Sequence, residues 1–143
     1  MKSFRLLVAL SALVPAVASA SIYNIWANKP GTLITLGTTQ TPTSVDASVS
    51  WNTNTSFAFA YARARTSAGE TYEFQLVSVT TIPSMTTDWL EGTWNVSRNG
   101  VVVCSQCAGR LDGLSSAAGK PLFISVDGGN YQVRPIMTNR YNY

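Results

Sequence analysis

The sequence predicts one all-β domain, an antiparallel sandwich or closed barrel of about eight or nine short strands. Three observations indicate this fold class. Apolar residues alternate with a period of two, turn-forming residues separate the alternating segments at regular spacing, and no apolar stripe of helical period extends over ten residues. The 143 residues are 45% hydrophobic and 12% charged, which suits a compact domain and excludes a disordered chain.

The predicted strands follow the alternating segments in chain order. They cover residues 22–27, 32–36, 45–51, 56–65, 71–79, the two arms of a hairpin around Asn99-Gly100, and a last hairpin of residues 122–126 and 130–136. Segments rich in Thr, Ser, Pro and Gly separate several of them as loops. Residues 111–118 are the stretch where the sequence allows a short helix.

Two aromatic strands form the first predicted hairpin, with residues 66–70 as its loop. One register places Arg63 opposite Glu73, but it puts the aromatic residues of the two strands on opposite faces. An exposed ion pair contributes at most about 1 kcal/mol, whereas burial of one large apolar side chain contributes roughly 1.5–3 kcal/mol. We therefore expect the other register, with Phe57, Phe59 and Tyr61 packed in the core rather than forming a stacking platform for nucleic acid.

The dipeptide Asn99-Gly100 is typical of a type I′ hairpin turn, because both residues tolerate positive φ. This turn pairs Arg98 with Val101. Counting outward along an unbroken ladder places Trp94 on the same face as Val101 and Val103, and predicts that Trp94 belongs to the core.

A local pattern provides an alternative fold. Tyr23-Asn24-Ile25 and the segment Pro30-Gly31-Thr32-Leu33-Ile34-Thr35-Leu36 resemble the opening strands of a β-trefoil repeat of the kind found in fungal lectins and protease inhibitors. The resemblance covers about fifteen residues, and the chain lacks the Gln-x-Trp signature of the sugar-binding trefoils. A β-trefoil is therefore the alternative to the sandwich or barrel.

The first twenty residues have the features of a secretory signal peptide. Two cations precede an apolar run at residues 6–14, and Ala18-Ser19-Ala20 is a small-x-small cleavage site. The apolar run is about half the ~20 residues that a transmembrane helix needs. We expect residues 1–20 to be removed and residues 21–143 to be secreted as a single extracellular domain, the alternative being a retained membrane anchor.

Charge and histidine content restrict the function classes. Removal of Lys2 and Arg5 lowers the formal charge from +3 to +1, whereas nucleic-acid binding requires a clustered basic face. The chain contains no histidine, which is the commonest general base and the commonest zinc ligand. We expect no nucleic-acid partner, no membrane partner after cleavage, no metal and no cofactor. The sequence does not indicate an oligomeric state.

Cys104 and Cys107 are the two cysteines of the chain and form a C-x-x-C motif. Disulfides persist outside the cell, so we expect a local disulfide between them. A redox role would need the first cysteine at a helix N-terminus, which the flanking residues do not favour. An intermolecular bond or free thiols are the remaining alternatives.

Candidate functional residues are few. Asp88 and Glu91 flank Trp89 in a predicted loop and could act as the paired carboxylates of a glycosidase, but a solvated loop whose Trp covers the core is the favoured interpretation. Trp51 precedes a polar turn, so Trp51 and Trp89 are the aromatic residues we expect to be exposed for ligand binding. Asn54 and Asn95 begin sequons and would carry glycans in a eukaryotic source.

These features predict a small secreted, non-catalytic binding or structural protein that acts at a cell wall or partner surface. Its partner would be an extracellular glycan or a protein. Two alternatives stay open. One is a small extracellular polysaccharide hydrolase, and the other is a secreted protease inhibitor whose specificity lies in an exposed loop such as residues 80–87.

Overall fold

The computed structural model describes residues 21–142, and the predicted signal segment at residues 1–20 lies outside the described residues. The described chain is all-β, which confirms the predicted class, and forms a single curled antiparallel sheet in the shape of a half-barrel. Within this part of the chain, no helix has the length and apolar composition needed to cross a membrane. The strands are β1 Ile22–Ala27, β2 Lys29–Thr35, β3 Thr38–Gln40, β4 Ser44–Asn52, β5 Phe57–Arg65, β6 Thr71–Thr81, β7 Leu90–Arg98, β8 Val101–Asp112, β9 Phe123–Val126, β10 Tyr131–Ile136 and β11 Asn139–Asn142.

The strand count and the layering differ from the prediction. The described residues form eleven strands in one sheet, not the two sheets of a sandwich, in the order β11-β1-β4-β5-β6-β7-β8-β9-β10-β2-β3. This order has no threefold repetition such as a β-trefoil requires. The two strands beyond the predicted nine are β3 and β11, and only Met137 and Thr138 separate β11 from β10. At this connection, the Thr138 N–H donates to the Trp26 carbonyl oxygen (2.8 Å).

The inner face of the sheet holds the hydrophobic core. Side chains alternate between the two faces of a strand, so every second residue of most strands is buried. Trp94 and Phe74 have 0% exposure, which confirms the prediction that Trp94 belongs to the core. The other large side chains that are fully buried include Ile25, Leu33, Leu90, Leu111, Leu114, Leu122, Ile124 and Met137.

The predicted register between β5 and β6 is wrong. The structure pairs Arg63 with Glu73 and Tyr61 with Gln75, and it buries the alanines of β5 instead of its aromatic residues. Phe57 and Phe59 are 56% and 41% exposed on the outer face. The reason lies in the neighbouring strands, since the inner faces of β4 and β6 already supply large side chains, and only small residues fit between them. The inward residues of the three strands are Val45, Ala47, Val49, Trp51, Ala60, Ala62, Ala64, Tyr72 and Phe74.

The observed register creates a hydrogen-bonded group on the outer face. The Tyr61 hydroxyl donates to Glu73 Oε2 (2.6 Å), and Arg63 Nε lies 3.4 Å from the same oxygen. The hydrogen bond from Tyr61 is the largest cause that lowers the pKa of Glu73 below its ordinary value; burial opposes it, and the nearby Arg63 charge lowers the pKa further. Burial, together with the hydrogen bond to Glu73, raises the pKa of Tyr61.

We expect the stability of Glu73→Gln to depend less steeply on pH in the acid range than the stability of the wild type. Because the folded pKa of Glu73 is lowered, the ionised carboxylate contributes stability above the ordinary glutamate pKa of about 4.3, and this contribution is lost as the pH falls through the lowered value. The melting temperature of the wild type should therefore fall more steeply below about pH 4.3 than that of Glu73→Gln. Tyr61→Phe removes the largest cause of the shift and should also reduce the steepness. Equal slopes for wild type and Glu73→Gln would contradict this prediction.

The β7–β8 hairpin begins as predicted and then departs from the prediction. Asn99 and Gly100 have φ values of 52° and 82°, and Arg98 pairs with Val101. Two bulges then add residues to β8, and each one changes the face on which the following side chains lie. As a result Cys104, not Val103, pairs with the buried Val96, and Cys107 pairs with Trp94. The large apolar residues of β8 left exposed are Val101, Val102 and Val103.

Of the remaining expectations about the fold, two are confirmed and one is wrong. The last predicted hairpin is confirmed as β9 and β10, which turn through Asp127 (φ 58°) and Gly128 (φ 64°). The loop at residues 66–70 is also confirmed. The short helix at residues 111–118 is wrong, because Leu111 and Asp112 complete β8 and irregular turns follow them.

Candidate functional site

A cavity of about 740 Å³ opens at the end of the half-barrel where β1 begins and β4 ends. One wall is the loop at residues 82–89, which connects β6 to β7 and is held by a hydrogen bond from the Ser84 N–H to the Thr87 carbonyl oxygen (2.8 Å). The Thr87 hydroxyl also donates to the Ile82 carbonyl oxygen (3.3 Å). Met85 lies fully exposed at the tip of this loop. The loop therefore has an internally bonded conformation beside the cavity.

Two stacked aromatic rings contribute to the apolar part of the cavity wall. Tyr23 of β1 and Trp51 of β4 are paired across the sheet, with ring centroids 4.9 Å apart and planes inclined by 11°. Trp51 is 3% exposed, so the expectation that it is an exposed loop residue is wrong. It completes the alternation of Val45, Ala47 and Val49 on the inner face, a signal that the sequence already contains. Its predicted contact with a ligand remains untested, since it still lines the cavity.

Polar groups lie on the opposite part of the wall. The Asp88 carboxylate accepts a hydrogen bond from the Ser115 hydroxyl (2.8 Å). Arg140 of β11 lines the same cavity and donates to the carbonyl oxygens of Leu114 and Ser116, the second at 3.4 Å. Sequence reasoning did not identify Arg140, because only the pairing of β1 with β11 brings it to this end of the sheet. The cavity thus presents a carboxylate, a guanidinium and aromatic rings together.

The structure gives Asp88 and Glu91 separate surroundings. Glu91 Oε1 accepts the indole N–H of Trp89 (3.0 Å), and Glu91 does not belong to the cavity wall, whereas Asp88 does. The guanidinium carbon of Arg110 lies 4.1 Å from the centroid of the Trp89 ring, which is half-buried. One face of the Trp89 ring is therefore covered by a cation, an arrangement that stabilises the pair without a ligand. Ligand binding by Trp89 and catalysis by the two carboxylates both remain predictions.

Cys104 and Cys107 lie at disulfide-bonding distance at a bulge of β8, with Cα atoms 6.0 Å apart. The bulge is further held by the Gln106 N–H, which donates to Asn95 Oδ1 (2.8 Å). Between residues 21 and 142, the one close group of cysteine and carboxylate side chains that could hold a metal is these two cysteines with Asp127. Both sulfurs are joined to each other, so this group does not offer two thiolates to a metal.

The two sequon asparagines differ in accessibility. Asn54 is exposed in the turn between β4 and β5. Asn95 is half-buried on the outer side of β7, where its side-chain oxygen is engaged by the Gln106 N–H. Of the two, Asn54 presents the more accessible acceptor, and glycosylation of either residue remains a prediction.

The described chain is a single curled β-sheet with a concave cavity at one end. Comparison with known proteins finds no matching family model, no matching curated protein and no matching solved structure. The geometry of the described residues is therefore the basis on which the site is interpreted.

Proposed function

We propose that this chain is a secreted, non-catalytic binding protein and that its end cavity takes a short extracellular glycan. The observation that carries the proposal is the combination of the Tyr23–Trp51 ring pair with Asp88 and Arg140 on one cavity wall. The cavity volume falls within the roughly 300–1,000 Å³ of small-molecule sites. Secretion is supported by the signal-peptide pattern of residues 1–20 and is compatible with the cysteine pair.

The chemistry of the wall matches that of a sugar. A pyranose ring has apolar C–H faces and a rim of hydroxyl groups, so it needs apolar surface beside hydrogen-bonding side chains. The half-buried Tyr23 ring, packed on the buried Trp51 ring, provides the apolar surface, and the ionised side chains of Asp88 and Arg140 provide acceptors and donors stronger than neutral ones. Hydroxyl groups of Thr53, Ser84 and Ser115 add further donors and acceptors on the wall. A purely apolar ligand would cover these polar groups without adding hydrogen bonds to those they already make within the protein.

The hydrolase and inhibitor alternatives stay predictions with less support. A hydrolase would need a second carboxylate across the cleft from Asp88, and Glu91 is bonded to Trp89 outside the cavity wall. An inhibitor would present Met85 from the loop at residues 82–89. Purified protein that neither cleaves polysaccharides nor inhibits a panel of extracellular proteases would remove both alternatives.

Asp88→Asn tests the cavity directly. An asparagine oxygen can still accept the hydrogen bond from Ser115, so we expect an unchanged melting temperature but about tenfold weaker binding of a glycan selected on an array, because a charge-assisted contact is lost. Asp127→Asn is the matched control, since Asp127 is an exposed carboxylate in the turn between β9 and β10, outside the cavity wall. No glycan signal for the wild type, or equal effects of the two variants measured by titration calorimetry, would refute the proposed function.

A further inference from the structure

The outer face of the sheet carries a row of exposed aromatic side chains along β5. Phe57, Phe59 and Tyr61 lie at alternate positions and therefore project from the same face. Phe57 and Phe59 are 56% and 41% exposed. Large aromatic residues are usually buried, so exposed neighbours in a row indicate a surface that binds something.

A second aromatic group lies on the same face, two and three strands away. Trp26 of β1 and Tyr141 of β11 meet edge to face, with ring centroids 5.5 Å apart and planes at 78°. Tyr141 is 49% exposed. Trp26 and Tyr61 pair with the same residue of β4, Ser48, from its two sides. With a strand spacing of about 4.8 Å, the two aromatic groups therefore lie roughly 10 Å apart across β4.

Small polar residues of β4 form the floor between these groups. Ser48, Ser50 and Asn52 are half-buried, and their side chains are shorter than the aromatic side chains on either side. We call this surface the β4 trough. It consists of the floor residues Ser48, Ser50 and Asn52 and the wall residues Trp26, Phe57, Phe59, Tyr61 and Tyr141.

The β4 trough contains no charged side chain. Asp46, Arg63 and Glu73 lie at the Tyr61 end of the trough, where Glu73 and Arg63 bond to the Tyr61 hydroxyl and to each other, so the part without charge extends from Phe57 and Phe59 across to Tyr141. Arg140 of β11 is directed to the other face, where it donates to the Leu114 carbonyl oxygen. A surface without charge matches an uncharged ligand, and it disfavours a nucleic acid, whose binding depends on phosphate neutralisation. The hydroxyl groups of Ser48 and Ser50 favour a ligand that can hydrogen-bond as well as stack, whereas Asn52 Oδ1 already accepts the N–H groups of Asn54 and Thr55.

We propose that the β4 trough binds a neutral polysaccharide chain lying along the strand. From Phe57 to Tyr61 the wall extends four residues, about 14 Å, which suits several linked sugar units rather than one. Aromatic walls contact the apolar faces of the sugar rings, and the floor residues bond to their hydroxyl groups. The site shares no residue with the end cavity, so it does not rest on the function proposed for that cavity.

The experiment is a pull-down on two insoluble neutral polymers, microcrystalline cellulose and chitin, with binding isotherms for the purified full-length product. The double variant Phe57→Ala/Phe59→Ala should weaken binding to the retained polymer by at least about tenfold with little change in melting temperature, because both side chains are exposed. Tyr141→Ala, in the opposite wall, should weaken it in the same direction. Val101→Ala/Val103→Ala is the matched control, since it removes exposed apolar surface from β8 and should bind as the wild type does.

Four results would overturn the proposal. The first is that the wild type binds neither polymer, and the second is that Phe57→Ala/Phe59→Ala binds with wild-type affinity. The third is that Asp88→Asn alone loses binding, which would assign the polymer to the end cavity. The fourth is dimerisation of the wild type in sedimentation that Phe57→Ala/Phe59→Ala abolishes, which would assign the trough to a second copy of this chain.

Discussion

Trp94→Ala is expected to lower the free energy of unfolding by about 3–5 kcal/mol, because it removes a large buried side chain and leaves a cavity. Trp94 lies on the inner face of β7 with 0% exposure, between Leu76 of β6 and Cys107 of β8. Neither strand can move inward to fill the space without breaking its ladder with β7. Urea unfolding followed by circular dichroism measures the change.

Trp94→Phe is the control for this prediction. Within residues 21–142 the indole N–H of Trp94 has no hydrogen-bond partner. Trp94→Phe therefore removes no hydrogen bond and retains most of the buried apolar surface. We expect its cost to be clearly smaller than that of Trp94→Ala. A Trp94→Ala protein within about 1 kcal/mol of the wild type would show that the inner face of β7 repacks freely.

Gly109→Ala is expected to destabilise the protein by about 1–3 kcal/mol through overpacking. A Cβ atom at Gly109 would lie 2.5 Å from Cδ1 and 2.8 Å from Nε1 of Trp94, and 3.0 Å from Cγ2 of Val126. The Trp94 ring is fully enclosed and cannot rotate away without displacing the core. Urea unfolding of the variant measures the cost. Gly100→Ala is unsuitable as a control because Gly100 has positive φ, whereas Ser105→Ala changes an exposed residue of the same strand.

A double-mutant cycle tests whether contact with Trp94 causes the destabilisation by Gly109→Ala. In the Trp94→Leu background the indole is absent, so Gly109→Ala should cost at least about 1 kcal/mol less than it does in the wild type. Strictly additive costs would mean that the clash with Trp94 is not what makes glycine necessary at position 109.

Trp51 shows how a local signal can mislead. The polar turn at residues 53–55 predicts exposure, but the period-two pattern of β4 carries Trp51 to the inner face, where it stacks on Tyr23. Trp51→Ala should therefore be judged as a core substitution, and loss of binding in that variant would not identify a ligand contact. The residues suited to that test are exposed ones, such as Phe57 and Phe59.

The register between β5 and β6 shows that comparing two pairwise interaction energies does not predict which face of a strand is buried. Comparing one ion pair with one buried aromatic side chain favours burial of Phe57 and Phe59, and that comparison omits the volume already filled by Trp51 and Phe74 on the inner face. Alanines fit the remaining space, so the aromatic residues of β5 lie outside. The surface on which the β4 trough depends follows from this packing.

By itself the sequence determined nine of the eleven described strands, where the hairpins turn, and that Trp94 is buried, because side-chain period and the φ preferences of Asn99-Gly100 act over a few residues. Only the tertiary structure decided which face of β5 is buried, where β8 bulges, and that Asp88 and Arg140 share one cavity. These features depend on the volumes of side chains from neighbouring strands and on a ladder that joins the two ends of the described chain. Neither quantity can be read from residues adjacent in sequence.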